Sequence, residues 1–119
     1  MTVGDGGSGN CGAETDGGSA DGYLSGYYDS DEYSYGARTS DPCQITVSLD
    51  GPSNADFDLY VTLDGRTPST RVYDKRSITQ DSQETVVVED VDSDTELGIL
   101  VDSYSGSGNY TVSVEEIGR

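Results

Sequence analysis

Apolar and polar residues alternate along several short runs of this 119-residue chain. Because successive side chains of a β-strand point to opposite faces, a period of two predicts a strand that buries one face and exposes the other. Two runs, 44–49 and 57–63, follow this period most closely. Their predicted inward-facing residues are Ile45, Val47 and Leu49 in the first run and Phe57, Leu59, Val61 and Leu63 in the second.

Five further runs have strand character and are separated by turn-forming residues. They are 33–35, with Tyr33 and Tyr35 on one face; 71–74; the β-branched run 85–88; 97–101, the most apolar run and predicted to be central; and 110–114. No run of useful length shows the 3.6-residue period of a helix. Six to eight short strands between turns predict an all-β fold, an antiparallel β-sandwich that is jelly-roll-like and has no substantial helix.

Two stretches rich in small residues bear on the domain organisation. Residues 1–22 show no period and are predicted to be a Gly/Ser/Asp-rich linker or arm tied down by Cys11, which leaves 23–119 as the sandwich domain. The stretch 103–109 lies between two inward-facing sets of apolar residues, which favours a hairpin over a linker. Gly106 and Gly108 supply residues that adopt positive φ where a tight loop needs it.

The charge of the chain is strongly negative, with 23 Asp and Glu against 6 Lys and Arg and a net charge of −17. Such a chain repels nucleic-acid phosphates and anionic lipids, so neither nucleic acid nor a membrane is an expected partner. The acidic residues are dispersed between the predicted strands instead of forming blocks. This pattern favours a folded protein suited to concentrated salt over a disordered chain. Separately, the protein is expected to be a monomer.

Removing salt is expected to destabilise the domain. In molar salt the Debye length shrinks to about 3 Å, so repulsion among the acidic side chains costs little, whereas in dilute buffer it acts over longer distances. Thermal unfolding can be followed by circular dichroism in molar KCl and in dilute buffer. The midpoint should fall when salt is removed, and an unchanged midpoint contradicts this interpretation.

The two cysteines, Cys11 and Cys43, are predicted to be structural. Their spacing matches no metal-binding motif and the chain has no histidine, so a disulfide is the leading interpretation and two free buried thiols are the alternative. A disulfide implies an oxidising, extracellular compartment, and the protein is therefore expected to be secreted.

The composition argues against catalysis. Serine and cysteine nucleophiles need an adjacent base, and the absence of histidine excludes the usual triads. A pair of carboxylates also serves glycosidases, but such enzymes usually need a larger cleft scaffold. We predict that the chain is not an enzyme.

Two carboxylate clusters are candidate calcium sites, because calcium prefers oxygen ligands. The candidate ligands are Asp29 and Asp31 in one cluster and Asp56 and Asp58 in the other. A third acidic segment, Asp90–Glu96, has alternating aspartates but lacks the glycine of an EF-hand loop. The alternative for each cluster is a solvated turn in a salt-adapted protein, and no other cofactor is expected.

The nine tyrosines allow two interpretations. At alternate strand positions they often pack in the core or across strands. Exposed tyrosines, by contrast, suit recognition surfaces. On the second interpretation, Tyr60, Tyr73 and Tyr104 are the predicted surface contacts to a protein substrate.

Three segments in order carry a family resemblance: SGYYDSDEYSY, ITVSLDGPSNADFDLYV and ELGILVDSYSGSGNYTVSV. Together they resemble the bacterial pre-peptidase C-terminal domain family over about 23–119. The acidic composition and paired cysteines look more narrowly like the C-terminal extension of the haloarchaeal subtilisin-like proteases called halolysins. In clostridial relatives that bind collagen and calcium, Asp31 matches a calcium ligand and Tyr104 matches a loop tyrosine, while Asp102 replaces a second tyrosine.

The resemblance implies a noncatalytic C-terminal accessory domain of a secreted halophilic serine protease. Such a domain holds protein substrate near the covalently linked catalytic domain and raises its effective concentration. Two alternatives stay open on sequence alone. One is a structural domain that supports the folding or salt stability of the protease, and the other is a cell-surface or matrix adhesion module.

Overall fold

The computed structural model describes residues 11–119, which form eight strands in two four-stranded sheets. The strands are β1 (Glu14–Leu24), β2 (Ser30–Gly36), β3 (Pro42–Asp50), β4 (Asp56–Thr62), β5 (Lys75–Ser77), β6 (Gln83–Val88), β7 (Glu96–Ser105) and β8 (Gly108–Gly118). The described residues contain no helix long and apolar enough to cross a membrane. The predicted all-β sandwich without substantial helix is confirmed.

The strand order is that of a jelly roll. One sheet has the order β1-β8-β3-β6 and the other β2-β7-β4-β5, and all pairs within them are antiparallel. The first four strands therefore pair with the last four in reverse order, as β1–β8, β2–β7, β3–β6 and β4–β5. The further pairs β3–β8 and β4–β7 join these four pairs into two sheets.

The core lies between the sheets and follows the predicted alternation. The inward-facing sets of the 44–49 and 57–63 runs are buried except for Leu63, which is half-buried. Tyr35 is buried and Tyr33 packs against the core, while the central position of β7 explains its long apolar run. The core cluster consists of Leu24, Tyr35, Ile45, Val47, Leu49, Ala55, Phe57, Leu59, Val61, Val86, Val88, Leu97, Ile99, Val101, Tyr110 and Val112.

The first strand corrects the predicted linker. Residues 14–22 belong to β1, which pairs with β8 along its whole length, from Glu14 opposite Gly118 to Leu24 opposite Gly108. Its small residues have a packing reason at one point, where a Cβ on Gly22 would lie 2.4 Å from the Tyr110 ring. Residues 1–10 of the predicted arm lie outside the described residues.

The predicted hairpin at 103–109 is also corrected. β7 and β8 are consecutive, but they lie in opposite sheets and do not pair. The connection therefore crosses from one sheet to the other at the end of the sandwich. Gly106 has a φ of 83°, as the sequence predicted, and a Cβ there would lie 2.7 Å from the Ala55 side chain.

The weak run at 71–74 is not a strand. Asp74 instead ends the loop before β5: its side chain accepts hydrogen bonds from the Leu63 amide and the Arg66 guanidinium. Strand β5 begins one residue later, at Lys75. The long connection 63–82 around β5 lies beside β4, and this arrangement determines which side chains of β4 are covered.

The predicted disulfide is present between Cys11 and Cys43, whose Cα atoms are 6.0 Å apart. It joins the residues just before β1 to the start of β3. Because β8 lies between these two strands in the sheet, the disulfide links the chain across it.

Candidate functional site

Three carboxylates meet where β4 and β6 approach each other. One carboxylate oxygen from each of Asp56, Asp58 and Glu84 lies within 4.8 Å of the other two. Asp58 and Glu84 are only 5% and 1% exposed, while Asp56 is half-buried. We call these residues the acidic cluster. No other such group of potential metal ligands occurs within residues 11–119.

The local backbone explains why the acidic cluster forms. On β4, Asp56 and Asp58 alternate with Phe57 and Leu59, so the two aspartates share the face opposite the core. The Ser82 hydroxyl accepts a hydrogen bond from the Phe57 amide and donates one to the Ala55 carbonyl. This bridge holds the chain before β6 against the start of β4 and brings Glu84 to the two aspartates.

The two sides of the acidic cluster differ in their hydrogen bonding. Glu84 accepts bonds from the Ser77 hydroxyl at 2.5 Å and from the Thr79 hydroxyl at 2.9 Å, and a further bond from the Thr79 amide. By contrast, the Oδ1 atoms of Asp56 and Asp58 are buried without a hydrogen-bond partner. None of the salt bridges found between residues 11 and 119 involves the cluster.

The electrostatics of the acidic cluster are unfavourable for three ionised groups. Burial, followed by the charge of Asp56, raises the pKa of Asp58 to about 8, and Glu84 and Asp102 act in the same direction. Asp102 lies directly opposite Asp58 on β7, and burial raises its pKa as well. Each of these neighbouring charges is negative, so none of them compensates an ionised Asp58.

A cleft of about 370 Å³ opens beside the acidic cluster. It is lined by Asp56, Asp58, Tyr60, Ile78, Thr79, Gln80 and Tyr104. Tyr104 is an exposed member of this lining, with 64% of its surface accessible. The cleft thus connects the cluster with an aromatic surface at the end of the sandwich.

Three exposed tyrosines form this surface, which we call the tyrosine surface: Tyr27, Tyr28 and Tyr104. The rings of Tyr27 and Tyr28 have centroids 3.9 Å apart. The Ser103 amide donates to the Asp29 carbonyl, which fixes the turn that carries them beside the end of β7. The pKa of Tyr27 is raised, chiefly by its side-chain hydrogen bond with Tyr28, and Tyr104 also contributes.

The backbone conformation of Tyr28 is unusual for a bulky residue. Tyr28 is 83% exposed and has a φ of 75°, and no other non-glycine residue in the described part of the chain has a positive φ. A bulky residue in this region carries conformational strain, and such strain is often retained at binding sites.

The predicted tyrosine contacts are only partly exposed. Tyr104 is exposed, as expected, but Tyr60 is 7% exposed and Tyr73 is half-buried, so the expectation of exposed rings at Tyr60 and Tyr73 is corrected. The two rings pack together with centroids 5.4 Å apart, and Arg76 lies over Tyr73. The burial of Tyr60 could not be predicted from sequence, because the residues that cover it belong to the connection after β4. The alternation within β4 does not reveal where that connection lies.

The first predicted calcium pair lies apart from the acidic cluster. Asp29 accepts bonds from the amide and hydroxyl of Ser25, which lower its pKa, and these bonds cap the turn before β2. Asp31 accepts a 2.6 Å bond from the Tyr110 hydroxyl. Both carboxylates thus accept hydrogen bonds within the fold, and calcium binding by this pair stays a prediction. Asp56 and Asp58, by contrast, come together as the second predicted pair.

Sequence reasoning missed two buried glutamates that have a readable signal. Glu84 precedes the inward-facing Val86 by two residues, and Glu116 follows the inward-facing set of β8 at the same period. Glu116 is fully buried, and its carboxylate holds the loop between β2 and β3. An acidic residue at an inward-facing position of a strand is thus the pattern that would have identified both.

Two curated proteins match the chain in sequence. The halolysin-like extracellular serine protease Nep of Natrialba magadii is 55% identical over 116 residues, which cover 94% of this chain and 21% of that protein. The chain is similar to the halolysins. The halolysin of Haloferax mediterranei is 49% identical over 97 residues, covering 81% of this chain and 19% of that protein. These relatives confirm the resemblance noted from the sequence, although the chain spans only about a fifth of their length.

Solved structures agree on the fold. The pre-peptidase C-terminal domain of a collagenase from Bacillus anthracis superimposes with a TM-score of 0.61 at 15% identity, covering 82% of this chain and 87% of that one. The mitogen derived from Yersinia pseudotuberculosis gives a TM-score of 0.62 at 17% identity, covering 89% and 88%. No family model matches the chain. At such low identity these structures support the fold alone.

Proposed function

We propose that the chain is a noncatalytic C-terminal accessory domain of a secreted, halolysin-type serine protease, and that it binds protein substrate through the tyrosine surface. The relatives support the first part, because the chain corresponds to about a fifth of extracellular serine proteases. The lack of histidine is consistent with catalysis residing elsewhere in the parent protein.

The observation that carries the binding proposal is the exposure of Tyr27, Tyr28 and Tyr104 on one end of the sandwich. Their exposed fractions are 61%, 83% and 64%. Tyrosine offers a large, rigid contact area and a hydroxyl that hydrogen-bonds, so it suits peptide surfaces and is enriched among residues that dominate binding energy. Its side chain also loses little conformational entropy on binding.

Replacing two of these rings should weaken binding to insoluble protein. The 119-residue chain is incubated with cross-linked casein particles in molar KCl, and the unbound fraction is measured after sedimentation. We expect Tyr27→Ser/Tyr104→Ser to weaken binding about tenfold or more, since each loss of 1.4 kcal/mol is a factor of ten. Tyr23→Ser is the matched control, because Tyr23 is 56% exposed but lies on β1 in the other sheet.

The parent protease provides the functional measurement. There the double variant should raise KM for insoluble casein and leave the hydrolysis of a short peptide unchanged, because only the larger substrate reaches both domains. If the unsubstituted chain does not bind the particles, or if Tyr23→Ser weakens binding as much as the double variant, the tyrosine surface is not the binding site. Loss of thermal stability without a change in KM would instead favour the structural role.

A further inference from the structure

We propose that Asp56, Asp58 and Glu84 bind one divalent cation, and that this cation is calcium. The inference stands apart from substrate binding, because no residue of the tyrosine surface supplies a ligand. It rests on the geometry of the acidic cluster, on the burial of its members and on the two aspartate oxygens that lack a partner.

The unpartnered oxygens provide the first argument. A buried polar atom without a hydrogen bond is costly, and nearly all such atoms in folded proteins find a partner. Asp58 is more than nine-tenths buried, and its Oδ1 lacks a partner, as does the Oδ1 of Asp56. Both residues contribute to the group of carboxylate oxygens that lie within 4.8 Å of one another. A cation bound among them would satisfy both atoms at once.

Glu84 provides the second argument, because hydrogen bonds already hold its carboxylate in place beside the two aspartates. Its carboxylate accepts three hydrogen bonds from Ser77 and Thr79, which fix the side chain. An ionised carboxylate offers about four lone-pair sites, so one remains for a metal. Three negative groups at this spacing repel one another when ionised, and a doubly charged cation turns that repulsion into attraction.

The ligand types select calcium. All three ligands are oxygens, which excludes a preference for metals that favour nitrogen or sulfur. Calcium accepts six to eight oxygen ligands in variable geometry, whereas magnesium requires a near-ideal octahedron. Ligands held on two different strands suit the more tolerant ion, and water from the adjacent cleft completes its coordination.

Binding at this position has a structural consequence. Asp56 and Asp58 lie on β4, whereas Glu84 lies on β6 after the connection 78–82. A shared cation therefore ties this connection to β4 and closes the edge of the sandwich, next to the cleft beneath Tyr104. Calcium should accordingly stabilise the fold.

Calcium should raise the unfolding temperature of the 119-residue chain at constant ionic strength. The chain is freed of metal with EDTA, dialysed into molar KCl, and titrated with CaCl2 while thermal unfolding is followed by circular dichroism. The expected rise is about 5–10 °C once calcium exceeds its dissociation constant about 100-fold. An equal rise with MgCl2, or with KCl of matched ionic strength, would show general screening and overturn the proposal.

Two variants locate the site. Asp58→Asn and Asp56→Asn keep the side-chain volume and remove one charge, and each should eliminate the calcium-dependent rise. Tb³⁺ provides a second readout as a calcium substitute: its luminescence, sensitised by Tyr60 and Tyr104 in the cleft, should be lost in both variants. Asp94→Asn makes the same charge change at an exposed acidic position and should respond like the unsubstituted chain.

The variants distinguish a loss of calcium binding from a loss of folding. Asp58→Asn replaces a buried carboxyl group with an amide of similar size, so it should stay folded in EDTA. If it does not fold, Asp56→Asn decides the question, because Asp56 is only half-buried. Calcium binding that is unchanged in Asp56→Asn, or that is lost in Asp94→Asn, would place the ion outside the acidic cluster and overturn the proposal.

Discussion

Glu116→Ala is expected to lower the free energy of unfolding by about 3–5 kcal/mol. The Glu116 carboxylate is completely buried and accepts hydrogen bonds from Tyr35, Arg38 and Thr39. The Tyr35 hydroxyl donates at 2.7 Å, the Thr39 amide at 2.7 Å and the Thr39 hydroxyl at 2.5 Å, and the Arg38 amide is shared between both oxygens. Truncation leaves these donors without their acceptor, and those of Tyr35 and Thr39 are buried.

The charge of Glu116 is maintained by the same contacts. Burial raises the pKa of Glu116, but the hydrogen bonds from Thr39, Tyr35 and the backbone outweigh it, and the pKa lies below its ordinary value. The folded state thus binds the proton less tightly than the unfolded state. The contribution of Glu116 to stability is complete above the ordinary pKa of about 4.3, and it is lost as the pH falls through the lower folded-state value.

Denaturant titration in molar KCl at neutral pH measures the effect. Glu116→Gln keeps one oxygen acceptor but turns an amide group towards the donors, so its loss should be smaller, about 1–3 kcal/mol. Glu115→Ala is the control on the same strand, because Glu115 is exposed and should change stability by less than about 0.5 kcal/mol. Equal effects of Glu116→Ala and Glu115→Ala would contradict the buried network.

Removing the disulfide is expected to cost about 3–4 kcal/mol. Cys11 and Cys43 are 32 residues apart, and in the chain-entropy model the closure of such a loop restricts the unfolded ensemble by this amount. The double variant Cys11→Ala/Cys43→Ala avoids placing a hydroxyl at the buried Cys43 position. Its midpoint in denaturant should fall accordingly.

Chemical reduction supplies the control for this prediction. The unsubstituted chain treated with a thiol reductant should lose the same stability as the double variant, whereas the double variant should not respond to the reductant. If the reduced and oxidised chains unfold at the same midpoint, the cross-link does not restrict the unfolded state, and the attachment of β1 rests on its pairing with β8 alone.

The inward-facing residues were available from sequence because the alternation of a strand is a local property. Ile45, Val47 and Leu49 are buried as predicted, and the period of two requires no knowledge of their partners. If the same alternation is continued along the whole of β6 and β8, Glu84 and Glu116 fall at inward-facing positions. The hydrophobic pattern alone did not identify them, because an acidic residue ends the apolar run.

Strand pairing is a long-range property and required the tertiary structure. The stretch 103–109 has the composition of a hairpin, yet the strands it joins pair with β1, β2, β3 and β4 instead of with each other. Likewise, the glycine-rich stretch 14–22 has little apolar character, and it becomes a strand because β8 offers it a hydrogen-bonding edge. Neither partner is near in sequence, so no local pattern reports them.

The same distinction between local pattern and long-range packing applies to the candidate sites. The sequence by itself determined the fold class, the cysteine pair and the proximity of Asp56 and Asp58, because each follows from residue type or from spacing within one strand. The exposure of Tyr104 was one of two interpretations, and the structure decided it. Only the tertiary structure decided that Tyr60 is covered, that Glu84 joins the two aspartates and that Tyr27 and Tyr28 accompany Tyr104. These facts depend on which segments fold over β4 and beside β7, and packing between distant segments is set by the burial of the whole core.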